Sequence, residues 1–141
     1  MKYLVLPLVF LLFACQNENN LGNIDQLNGF WEIKKAETPY GAKKYEMNQN
    51  IDFIKIEDST GFRKKLQPSI IGNYTASKDL ENFEIKVEND SIRLYYSNSF
   101  DQWKETIISI SENKFVVKNE QDFIYTYKRH ERIDIENNGK K

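Results

Sequence analysis

The chain has 141 residues, enough for one domain with a core of its own, and its 20 basic and 21 acidic side chains leave a net charge of −1. Such a balance gives no electrostatic footprint for nucleic acid, which a strong basic excess would supply. With one cysteine and one histidine, a disulfide framework is excluded, and zinc or copper sites are left short of ligands.

Met1 to Ala14 reads as a secretory signal. Lys2 gives the positive start, Tyr3 to Phe13 is an uncharged apolar run of eleven residues, and small Ala14 precedes the only cysteine. A bilayer-crossing helix needs about 20 apolar residues, so the run suits a transient export signal. Pro7 also disturbs a long helix. Leu12-Phe13-Ala14-Cys15 resembles the lipobox of bacterial lipoproteins. That resemblance implies removal of residues 1–14 and acyl chains such as palmitate on Cys15, making the membrane a partner through lipid. Gln16 is not the aspartate that retains enteric lipoproteins in the inner membrane, and Asn17-Glu18-Asn19 lacks the acidic cluster of surface-export tags. The outer membrane, on its periplasmic side, is the expected address.

Residues 15–27 read as lipidated cysteine and polar tether. From 28 to 131 the chain shows short alternating runs parted by turn residues about every ten positions, the pattern of an antiparallel sandwich or barrel. Strand one is expected from Gly29 to Glu37, followed by a loop from Pro39 to Lys44. Strand two runs from Ile51 to Glu57, and Asp58-Ser59-Thr60-Gly61 turns it into Phe62 to Leu66. A further strand spans Ile71 to Ala76. Phe83 to Glu88 alternates strictly, and Asn89-Asp90-Ser91 turns it into the run holding Ile92, Leu94 and Tyr96. Trp103 to Ile110 is read with Thr106, Ile108 and Ile110 on one face. Lys114 to Lys118 and Phe123 to Arg129 complete the set, and residues 132–141 read as a flexible tail. The fold class is therefore all-β: a small antiparallel up-and-down barrel of eight or nine strands, whose closure removes exposed edges.

Leu27-Asn28-Gly29-Phe30-Trp31, after a polar lead-in, resembles the Gly-x-Trp signature of lipocalins. The chain over roughly 27 to 131 looks like the small lipocalin-like lipoproteins of flavobacteria. The resemblance implies a tryptophan, Trp31, closing one end of the barrel above Gly29, with a basic residue from the last strand laid over it. Arg129, with Lys128 and Arg132 nearby, stands where that residue is expected.

Catalytic chemistry finds no convergent set. His130 lies among charged neighbours at the end of the last strand and reads as a surface residue, which disfavours a histidine-dependent hydrolase. Glu84 and Glu88, with Lys86 between them, read as a solvated strand face and not as a catalytic carboxylate pair. Phe62-Arg63-Lys64-Lys65-Leu66 reads as an edge strand protected by its lysines. Ten large rings, Phe53, Phe62, Tyr74, Phe83, Tyr96, Trp103, Phe115, Phe123, Tyr125 and Tyr127, crowd an interior just wide enough for side chains or one small ligand. A barrel in the membrane would need longer strands without charged faces, and is set aside. The expectation is a non-enzyme with no cofactor, no metal and no nucleic-acid partner. It either holds a small apolar ligand at one barrel mouth or docks on an envelope protein through Tyr95, Tyr96, Phe100 and Trp103.

Overall fold

The computed structural model describes residues 21–46, 50–68 and 74–131. The expected signal, the expected lipidation at Cys15 and the expected tail from 132 onward lie outside these residues. Among the described residues a short 3-10 helix, Leu21–Leu27, leads into nine strands: β1 (Gly29–Thr38), β2 (Gly41–Lys44), β3 (Ile51–Glu57), β4 (Thr60–Pro68), β5 (Tyr74–Glu88), β6 (Ser91–Ser97), β7 (Gln102–Ile110), β8 (Lys114–Asn119) and β9 (Ile124–Arg129).

Every pairing is antiparallel, in the order β2-β1-β3-β4-β5-β6-β7-β8-β9, and β9 returns to pair with β1. Eight strands thus close an up-and-down barrel, and β2 is an extra strand outside the closure. β1 serves three neighbours. Its first residues pair with β3, its last with β2, and its other edge lies along β9. Register shifts interrupt the ladders at Ile33/Lys35, Lys64/Leu66 and Ile107/Ser109. Such bulges add local bend and twist, which a small closed sheet requires.

The turns follow residue chemistry. Asn89 and Asp90 both take positive φ, 51° and 61°, the two-residue geometry that matches the twist of a β5–β6 hairpin. Gly61 is needed for another reason: a Cβ there would stand 2.6 Å from the Lys55 carbonyl oxygen and press on the Phe83 ring. Strand β4 can cross under Phe83 only without a side chain at that position.

Five sequence expectations change. Residues 21–27, read as the end of the tether, form the helix, and its Ile24 and Leu27 are buried in the core. The loop from Pro39 to Lys44 is a hairpin turn followed by β2, held by Lys35↔Lys44 through Thr38↔Gly41. The strand expected at 71–76 is the beginning of a single 15-residue β5; residues 71–73 lie outside the description. In β7 the bulge inverts the alternation, so Ile107 and Ile110 pack on the core while Ile108 is 55% exposed. The run Phe62 to Leu66 belongs to β4, which is paired on both sides and is no edge.

Candidate functional site

The end of the barrel where β1 begins is closed by packing and by one arginine. Trp31 is fully buried, and its indole N–H donates to the Leu27 carbonyl at 2.8 Å. The Arg129 guanidinium lies over the ring, 4.0 Å from its centre. A cation so placed contributes about 0.5–2 kcal/mol. The same guanidinium donates to the carbonyls of Asn28 at 2.6 Å, Gln26 at 2.7 Å and Glu112 at 2.8 Å. It therefore ties the helix, the start of β1 and the β7–β8 turn together. Gly29, at φ +122°, makes room: a Cβ there would be 2.6 Å from Arg129 Nη1. Gly29, Trp31 and Arg129 are thus brought together. Next to them His130 Nδ1 sits 2.8 Å from Glu32 Oε1. Its side chain is only 13% exposed, less open than a surface residue. Burial raises the Glu32 carboxyl, but hydrogen bonds from His130 and Lys34 outweigh it and hold Glu32 below the usual carboxylate range.

Above this base the interior is occupied by rings. Phe115 meets Trp31 edge-on at 4.6 Å and stacks on Tyr127 at 4.5 Å. Phe83 packs against Tyr96 at 5.1 Å, and Tyr96 stacks on Trp103 at 5.3 Å. Phe53 and Phe62, counted among interior rings from the sequence, lie on the outer wall. Their strand neighbours Ile54 and Arg63 point inward, and Phe53 contacts half-exposed Phe30 at 4.9 Å.

Charge also lies inside, which the sequence reading missed. Arg63 is 8% exposed; its Nε donates to Glu81 Oε2 at 2.7 Å, and its Nη1 lies 3.5 Å from Glu105 Oε1. The guanidinium also covers the Tyr96 ring at 4.6 Å. Asp52, likewise buried, accepts from Lys65 at 3.1 Å. Burial pushes the Glu105 carboxyl up, and Arg63 draws it only part of the way back. Burial also raises the Tyr96 and Tyr127 phenols, so both stay neutral. The available signal was positional. Asp52 alternates with Ile54 and Ile56, and Glu105 with Trp103 and Ile107, so each polar residue occupies an inward place in its strand.

The outer wall over β3 to β7, reaching Glu120 after β8, carries an open groove of about 730 Å³. β5 forms its floor through Asn82 and Glu84, with Phe62 on β4 and Tyr95 on β6 to either side. Tyr95 donates its hydroxyl to Glu88 at 2.7 Å, and Lys86 Nζ lies 4.7 Å over its ring. Of the four aromatics expected to share an interaction surface, Tyr95, Tyr96 and Trp103 all line this groove and Phe100 does not, although they present different faces to it. Tyr95 faces the groove, whereas Tyr96 is 2% exposed and faces the core with Trp103 stacked on it. Adjacent strand residues point to opposite faces, which separates Tyr95 from Tyr96. Phe100, 92% exposed, stands on the β6–β7 turn, where the Asn98 side chain accepts from the Phe100 and Asp101 N–H groups.

The family model of the lipocalin-like domain matches residues 27–117, from the last residue of the helix into β8. The chain belongs to the lipocalin-like domain family. Its lipocalin-like barrel is consistent with a non-enzymatic binding protein. Among solved structures, lobster apocrustacyanin A1 is similar at 13% identity over 82% of this chain and 67% of that one, with a TM-score of 0.48. A comparison with curated proteins returns no match.

Proposed function

We propose that this lipocalin-like protein is a lipid-anchored, non-enzymatic binding protein of the outer membrane that engages its partner on the outer wall of the barrel. The observation that supports an outward site is the filled interior. Trp31, Phe115 and Tyr127 form one set of packed rings and Phe83, Tyr96 and Trp103 another, and buried Arg63, paired with Glu81 and Glu105, covers Tyr96. A small apolar ligand seated there would have to displace packed rings and part largely buried ion pairs, which is costly. The groove beside Tyr95 needs no such rearrangement. An outward site is thus favoured over carriage of an apolar molecule at the mouth.

A photo-reactive amino acid at Gln102, an exposed groove residue, should give a discrete cross-linked product in cells that express the protein. The same probe at Glu112, in the turn at the closed end, should give none. Equal products from both positions, or none from either, would contradict an outward site. Anchoring rests on Cys15. Cys15→Ala should move the protein from the membrane fraction to the soluble periplasmic fraction and abolish incorporation of labelled palmitate. Several acyl chains, at about 0.8 kcal/mol for each buried methylene, make the unsubstituted attachment stable. Unchanged fractionation and labelling would show that Cys15 is not the anchor.

A further inference from the structure

We infer that the outer groove is a binding site for an uncharged oligosaccharide, an assignment that rests on the outward-site reading above. The charged side chains of the groove balance one another. Lys55 lies 3.8 Å from Glu57, Lys86 3.9 Å from Glu84, and Lys104 4.0 Å from Glu120. Three cations thus face three carboxylates, and the groove carries no net charge with which to draw an ionic ligand. At these separations the pairs are looser than hydrogen bonds, so both ends keep donor or acceptor capacity for a ligand. A hydroxyl both donates and accepts, and can bond to either member of such a pair without separating the charges.

The remaining lining fits the same class. Phe62 and Tyr95 stand on the strands either side of β5, about 12 Å apart at two strand spacings across and two residues along. Between and beside them Asn82, Ser97 and Gln102 offer neutral amide and hydroxyl groups. Aromatic walls with hydrogen-bonding groups on the floor suit a sugar ring, which presents an apolar C–H face and a hydroxylated rim. An apolar ligand would instead have to desolvate six charged groups. A peptide is less well served, because β4, β5 and β6 are paired on both edges. Strand addition, the usual source of main-chain affinity, has no open edge here.

The test is calorimetric titration of the full chain, held in a detergent whose head group contains no sugar. The ligands are neutral hexasaccharides of glucose, mannose, galactose and N-acetylglucosamine, beside a neutral polar hexapeptide and a sulfated hexasaccharide. At least one neutral hexasaccharide should bind with a Kd below about 1 mM, and the peptide should not. Raising salt from about 0.1 to 0.5 M should change that Kd less than about twofold, because no net charge is neutralised. Tyr95→Ala should weaken binding about tenfold or more. Exposed Gln102→Ala should weaken it about threefold with the fold unaltered, which guards against a folding defect in the first variant. No binding by any neutral hexasaccharide, or preference for the peptide or the sulfated sugar, would overturn the assignment. If that failure comes with a persisting cross-link from Gln102, only the ligand class is wrong; if the cross-link is also absent, the outward site falls with it.

Discussion

Arg63→Met should lower the free energy of unfolding by about 3–5 kcal/mol, read as a shift of the urea midpoint at pH 7. Arg63 is the cation facing both Glu81 and Glu105 inside the barrel, at 2.7 and 3.5 Å. Its removal leaves buried Glu105 and partly buried Glu81 without their cation. The cause is the uncompensated charge and not the lost attraction, so a combined Arg63→Met, Glu81→Leu, Glu105→Leu replacement should recover most of the loss. A single-variant change below about 1 kcal/mol would mean that water reaches the cluster. Glu105 adds a pH dependence of known sign. Burial raises its folded-state pKa, so the stability it contributes is present below the unfolded value, about 4.3, and is lost as pH rises through the folded value. Relative to Glu105→Gln, the natural protein should therefore become less stable as pH climbs from 4 through that higher pKa.

Trp31→Ala should cost a similar amount, about 3–5 kcal/mol, measured in the same way. The indole is fully buried between Phe115 and the Arg129 guanidinium, and its N–H satisfies the Leu27 carbonyl. Truncation opens a cavity at the closed end and takes from the helix both an indole contact and a hydrogen bond. Since Ile24 and Leu27 reach the core only through that helix, protection of the amides of 21–28 against hydrogen exchange should fall more than protection in β5 and β6. Uniform loss across the barrel would show that the base is not a separate unit.

Where a strand has one wet face, the sequence carried its structure openly. β3 matches its expected bounds, and Phe83 to Glu88 joins β6 through Asn89-Asp90 because alternation and turn residues agree. The placing of Gly29, Trp31 and Arg129 followed from the lipocalin resemblance and not from periodicity. What stayed hidden has physical reasons. A helix of seven residues is too short to display a 3.6-residue period, so Leu21–Leu27 looked like tether. All four residues of β2 are exposed, leaving no alternation to read. The bulge at Ile108 shifts parity partway along β7, a backbone event with no side-chain mark. The groove was half visible. Tyr95 was singled out, but Phe62 and Asn82 come beside it only through the pairing of β4, β5 and β6. Arg63 escaped because three basic residues in a row suggest solvent, while closure of the sheet turns the first of them inward.

The most direct test of a filled barrel with an outward site is titration of soluble Cys15→Ala protein with a fluorescent fatty acid that brightens in apolar surroundings. A packed interior predicts emission that grows in proportion to added probe and reaches no plateau. Saturation at one probe per chain, with quenching of buried Trp31, would place a ligand cavity inside and contradict the account.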